Sequence, residues 1–383
     1  MAPLLMAPDP TTGALWRRAS VEERVLFGCM RQDLDAAWRA RLVALGGDPT
    51  LAWPMLLRVA VKHQVAPLVQ QNLAAAGVLA HAPASVQAGF HHEVLGNLGA
   101  KATMRRALVE ALAYFAGEGI EVLAVKGTSL DLRLFTDAAS TVSGDIDLLL
   151  RPDWHAVDPS VHARVAAFNA GTPVVDVDFV RHPDLVLNGI LPVDFAAIWA
   201  RSTSIAVDGQ PVHLMCVEHE LVCATINSAR KRFFRLKSLL ELSELLHRHP
   251  ALDHDEVARC ARAWRCNGIA YAALRAAAAT VGAAVPAPML RALGIGRVHA
   301  GLLDALVARM SFCRLATLHG GLRLGGKRLG RGLLLPYASL GVRAGVRALR
   351  RALRQMGGTR AAPHGGQGWL RASKTASAGK TFR

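Results

Sequence analysis

Apolar positions in the first third of the chain recur at helical spacing. Residues 20–45 mix apolar and charged residues at that period and predict a helix. In WPMLLRVAVKHQVAPLVQQNLAAAG, residues 53–77, Leu56, Leu57, Ala60 and Val61 line one helix face. Val65, Leu68, Val69 and Leu73 line a second, with Pro67 in its first turn, where a missing N–H costs nothing. Residues 84–117 predict one long amphipathic helix ending near Gly117 or Gly119. Residues 1–118 therefore read as an all-helical N-terminal region.

The period then changes. IEVLAV, residues 120–125, is bounded by Gly119 and Gly127 and predicts a strand. A short helix follows over 129–136, then a second strand in GDIDLLL, residues 144–150. PVVDVDFV, residues 173–180, alternates around Asp176 and Asp178 and predicts a third. SIAVDGQPVHLM predicts a hairpin turning at Asp208–Gly209. A small α/β core over 119–216 accounts for this stretch.

Helical spacing returns over 217–282, where Leu236, Leu239, Leu240, Leu242, Leu245 and Leu246 mark a buried face. Residues 286–318 also read as helix. The expected organisation is α+β and predominantly helical: a helical region at 1–118, the core at 119–216, a helical bundle at 217–319 and a Gly/Arg-rich tail at 320–383. The end of that tail, 357–383, has the composition of a disordered segment.

Composition narrows the class. The chain has 383 residues, 52% of them apolar and 5% aromatic, which suits a helix-rich globular protein. Its six cysteines form no CxxC pair, so neither a zinc site nor a disulfide framework is expected, and reduced thiols suit the cytoplasm. No run approaches 18 uninterrupted apolar residues, and the first residues lack the basic and apolar regions of a signal peptide. Charge is unevenly placed. Beyond Asp304 there are 16 Lys or Arg and no acid, so residues 1–304 balance at 29 of each sign. The +16 net charge belongs to residues 305–383. Three readings of the tail stay open: contact with nucleic acid, contact with an anionic membrane, or a solvated end.

The chemistry concentrates in KGTSLDLRLFTDAASTVSGDIDLLL, residues 126–150. Residues i and i+2 of a strand share a face, so Asp145 and Asp147 present two carboxylates together. Buried carboxylates are costly unless paired or bound to a metal, and like charges this close repel unless a cation lies between them. Asp176, on another predicted strand, can come alongside. Three carboxylates holding Mg²⁺ suit phosphoryl or nucleotidyl transfer. The Gly127–Thr128 step, ahead of a helix with free N–H groups, suits a phosphate, with the Lys126 charge beside it. His219–Glu220 has the start of a zinc-protease helix motif, but Cys223 stands where a second histidine is needed, so that site is rejected.

A glycine turn, a helix, a strand with two acids one residue apart and a third acid on a later strand resemble the polymerase-β-like nucleotidyltransferase superfamily. More narrowly, the chain resembles the bacterial family of uncharacterised nucleotidyltransferases. The likeness spans about residues 50–280, through RVAVKHQVAPLVQQNLAAAG, VLAVKGTSLDLRLF, GDIDLLL, VDFAAIWARSTSIAVDGQPVHLM and RLKSLLEL, with Glu241 where an aspartate is usual. It departs at Ser140 and Thr141, where an arginine is usual, and at Asp178, where a histidine is usual. About twenty-five residues separate the second and third strands, fewer than the family's helix and further strand need.

The resemblance implies a polymerase-β-like core. It implies Asp145, Asp147 and Asp176 as catalytic, metal-holding carboxylates, with Lys126, Gly127 and Thr128 at the phosphates. It also implies an NTP donor, Mg²⁺ and an acceptor hydroxyl or phosphate on an unknown small molecule, peptide or protein. The departures keep a second implication open: a nucleotide-binding or interaction protein with the same fold and a degenerate catalytic site.

Overall fold

The computed structural model describes residues 10–135, 140–142, 144–151, 165, 168, 171, 175–178, 184–187, 189–231, 233 and 235–313. The basic tail expected at 320–383 lies outside them.

The chain opens with helices α1 (Ala14–Arg18), α2 (Val21–Gly28), α3 (Ala36–Gly46), α4 (Trp53–Lys62), α5 (Ala66–Ala75) and α6 (Ala84–Gly117). The single helix expected over 20–45 is two. Ser20 and Glu23 form a reciprocal capping box that starts α2, and the Asp35 carboxylate accepts the Trp38 N–H to start α3 anew. The 53–77 stretch is two helices as expected, and α6 ends at Gly117.

The middle of the chain forms β1 (Val122–Ala124), α7 (Lys126–Leu134), β2 (Ile146–Leu150), β3 (Val175–Asp178), α8 (Phe195–Ala200), β4 (Thr203–Val207) and β5 (Gln210–Leu214). The five strands lie in the order β3-β2-β1-β5-β4. β1 runs antiparallel to β2 and parallel to β5, while β2 and β3 are parallel. The β4–β5 hairpin turns at Asp208 and Gly209, both at positive φ (49° and 82°), as a two-residue turn of this hand demands. The short helix expected from residue 129 starts at Lys126, so Lys126, Gly127 and Thr128 form its first turn.

The third part holds α9 (Val217–Arg230), α10 (Leu236–Arg248), α11 (His254–Ala263), α12 (Asn267–Val281), α13 (Ala287–Ala292) and α14 (Arg297–Val307). Positive φ at Arg265 (55°) and Gly294 (69°) breaks what periodicity alone reads as continuous helix. The six predicted leucines of α10 are all buried. So are Lys237, Glu241 and Glu244, which makes α10 a helix buried nearly all round.

Strand alternation decides which way the aspartates face. Ile146, Leu148 and Leu150 of β2, with Val122 and Ala124 of β1, pack against Ala107, Leu108, Ala111, Leu112 and Phe115 of α6. Leu123 and Leu149 turn the other way, into a larger core that reaches from Leu15 to Phe312. Asp147 shares the face of Leu149. That face is covered by α7, which also contacts α9 and α10. The first two helices close over the same core as the third part of the chain: Trp16 Nε1 donates to the Thr280 carbonyl of α12 at 3.2 Å, and the Glu23 carboxylate accepts the Cys313 N–H at 2.9 Å. Among the described residues, no helix is long and apolar enough to cross a membrane.

Candidate active site

The site forms where β1 ends. The Val125 N–H donates to the Asp147 carbonyl at 3.1 Å, one rung beyond the assigned strand. Lys126 then takes φ 55°, a left-handed conformation that costs a residue with a Cβ roughly 1–2 kcal/mol. The chain leaves the sheet there and enters α7.

The Lys126 side chain offsets that strain. Its Nζ lies 2.7 Å from Oδ1 of Asp147 and 3.1 Å from Oδ2 of Asp184. Burial pulls the Lys126 pKa down, but the two carboxylates outweigh it and the net shift is upward. Thr128 holds the same strand from the same first turn, its Oγ1 accepting the Asp147 N–H at 2.9 Å. Lys126, Thr128 and Asp147 are all buried.

Asp145 stands one residue before β2 and is exposed. Asp176 pairs in register with Asp147 across the parallel β2–β3 ladder. Its side chain lies outside the described residues. Gly127 backs onto α10. A Cβ there would meet the Lys237 ammonium at 3.9 Å, an ordinary contact, so the glycine is not forced by packing against the described residues.

Asp145 and Asp147 offer carboxylate oxygens, the donors Mg²⁺ prefers. Asp147 also already binds a cation, the Lys126 ammonium. A metal held by Asp147 would have to be accommodated beside the Lys126 ammonium or displace it.

Several residues at the site were missed by sequence reasoning. Asp184 joins the core to the bundle, accepting from Lys126 and, at 3.0 Å, from Arg230 at the end of α9. Lys231 follows. Burial, then the charges of Arg230, Arg235 and Lys126, push its pKa down to about 8, and Asp145 opposes them. Among the described residues Lys231 has no ion-pair partner. Lys237 is buried in α10 and paired with Glu241 at 3.2 Å; Glu241 and Asp131 outweigh burial and raise its pKa. The legible signal was ARKRFFRLK, residues 229–237, a basic run between two apolar helices. Behind the cations, the Ser129 hydroxyl of α7 donates to Glu220 of α9. Burial pushes the Glu220 carboxyl up to about 7, against Ser129 and Arg133.

The sequence matches the family of uncharacterised nucleotidyltransferases over residues 49–161 and 162–282, which takes in the sheet, α7 and most of the bundle. The chain belongs to this family. No curated protein and no solved structure matches it. Membership in this family supports a role in nucleotidyl transfer in general terms.

Proposed function

We propose that this protein is an Mg²⁺-dependent nucleotidyltransferase that moves a nucleotidyl group from an NTP to an acceptor hydroxyl or phosphate. Lys231 carries the reading. It is a half-buried cation with three cations around it and no ion-pair partner among the described residues, beside the carboxylates expected to hold metal. An anion relieves that repulsion, and a triphosphate has the charge to do so.

In this reading Asp145, Asp147 and Asp176 hold Mg²⁺, which when bound would offset charge on the leaving pyrophosphate and favour the attacking oxygen. Lys231 and the N–H groups at the start of α7, where no side chain caps the helix, bind the phosphates. Gly127 leaves the backbone open to them. Lys126 bridges to Asp147 at rest and pairs with phosphate when nucleotide arrives. Thr128 holds α7 against β2 and acts on the site through that contact.

The Lys126–Asp147 pair also supports a second reading, in which the protein binds nucleotide without turning it over. A lysine on the second aspartate is a barrier to metal entry. Calorimetric titration of NTP with and without Mg²⁺ tests both, on the native chain and on Asp145→Asn/Asp147→Asn. Mg²⁺-dependent binding lost in the variant supports the metal site. Release of pyrophosphate on adding candidate acceptors supports transfer. Absence of any NTP binding by the native chain counts against both.

A further inference from the structure

Outside the residues given to nucleotide chemistry, α9 and α11 bring three metal-type donors together. One ring nitrogen of His219, one carboxylate oxygen of Glu256 and the Cys260 thiol lie within 4.8 Å of one another. The Cys260 Sγ is 3.4 Å from Oε1 of Glu256. Glu256 and Cys260 stand four residues apart, so α11 presents them on one face. His219 comes from the first turn of α9.

His219 is the unusual member. The residue is 1% exposed, with its ring tilted against the Trp264 indole at 5.3 Å. Its Nδ1 is buried and has no hydrogen-bond partner among the described residues. A buried polar atom left so calls for an explanation, and an unrecorded ligand is one. Burial also lowers its pKa, keeping the imidazole in the neutral form that ligates metals. His219 and Cys260 line a cleft of about 200 Å³, together with Pro192, Asp194 and Ala197.

We propose that His219, Glu256 and Cys260 bind Zn²⁺, with a water from the cleft in the fourth tetrahedral position. Nitrogen, oxygen and thiolate sulfur at about 2.0–2.3 Å are the donors this ion takes. Drawing them around one ion needs a contraction of about 1 Å. The Cys260 thiol gives up its proton to solvent as the Zn–S bond forms.

Glu256 has other partners on the same oxygen: Oε1 accepts from Arg201 Nη1 and Arg259 Nη2, so both of these Nη groups swing toward solvent when the ion takes it. Arg201 and Arg259 both pair with it, and both side chains are exposed (42% and 63%). The Arg259 Nε donates to Oε2 at 2.7 Å and keeps that oxygen as an outer partner while Oε1 turns to the metal. Arg201 retains Glu218, at 3.4 Å. Sequence spacing excluded a zinc site because no two cysteines form a CxxC pair and no second histidine follows His219. The donors come instead from two helices about 40 residues apart.

The test is a Co²⁺ titration of the full chain after chelator treatment, followed by Zn²⁺ competition. The expected result is a thiolate-to-cobalt absorption band saturating near one equivalent and displaced by Zn²⁺. Cys260→Ser and His219→Gln lose it. Glu256→Gln weakens Zn²⁺ by about tenfold or more, as loss of even an outer partner of a ligand does. A folded native chain without the band, or Cys260→Ser retaining it, overturns the site. Should the two buried variants fail to fold by circular dichroism, Glu256→Gln decides, because it keeps the size and one oxygen of a side chain that is 12% exposed. Unchanged Zn²⁺ affinity there overturns the proposal too.

Discussion

The ammonium of Lys126 lies 2.7 Å from Oδ1 of Asp147, with the two side chains only 8% and 3% exposed. The second aspartate of the strand is therefore neutralised by the chain itself. Removing one partner of a buried pair leaves the other charge uncompensated, at a cost of about 3–5 kcal/mol. Lys126→Ala is expected to lose stability of that order in urea denaturation. Part of it should return with millimolar Mg²⁺, which takes the place of the ammonium, and the gain in Tm should exceed that of the native chain. A variant whose Tm ignores Mg²⁺ would argue that these carboxylates do not hold metal.

Lys231 predicts a pH dependence of binding. Its ammonium loses its proton as pH rises through about 8, because burial and the nearby cations disfavour the charge. NTP affinity should fall between pH 7 and pH 9. Lys231→Ala should bind roughly tenfold more weakly at pH 7, the worth of a charge-assisted hydrogen bond, and lose most of that pH slope. Calorimetry at the two pH values measures both.

Glu220 predicts a pH dependence of stability. Its pKa rises from 4.5 in the unfolded chain to about 7 in the fold. Between these values the folded state keeps a proton the unfolded state has lost, so stability falls as pH rises through the window. The contribution is complete below 4.5 and gone above about 7. Glu220→Gln keeps the side-chain acceptor for Ser129 without the charge. It should be more stable than the native chain at pH 8, by up to about 3 kcal/mol, with little difference at pH 4. Equal unfolding midpoints at pH 8 would show that Glu220 stays readily ionised in the fold.

Gly127 separates binding from folding. A methyl group there meets only the Lys237 ammonium among the described residues, at 3.9 Å. Gly127→Ala should leave the Tm unchanged or slightly raised, since alanine favours a helix by roughly 0.5–1 kcal/mol. NTP binding should weaken, because the Cβ stands where the backbone would meet phosphate. Unaltered affinity would remove Gly127 from the site.

How far the site was readable varies residue by residue. Asp145 and Asp147 were singled out because a strand of period two puts both on one face beside Leu148, Leu149 and Leu150; the fold buries Asp147 and leaves Asp145 exposed just before the strand. Lys126 was singled out as a charge expected near phosphate, but its grip on Asp147 was not foreseen, since that needs the β1–β2 pairing to bring residues 21 apart into contact. Nothing in the local pattern singled out Asp184, Arg230 and Lys231; Asp184 meets Lys126 and Arg230 across elements. Leucine periodicity hid the burial of Lys237 and Glu241, because a count of apolar positions does not report that α10 is covered on every side.

The sequence by itself determined the elements whose causes are local: the hairpin at Asp208–Gly209, the length of α6, the leucine face of α10 and the acidic strand. Each follows from backbone preferences or from a period along a short segment. What only the tertiary structure decided is which charges meet. Lys126 with Asp147 and Asp184, Ser129 with Glu220, and His219 with Glu256 and Cys260 are contacts across elements. Their consequences depend on burial, because removing water is what turns a weak surface attraction into a pairing that shifts a pKa or demands an ion.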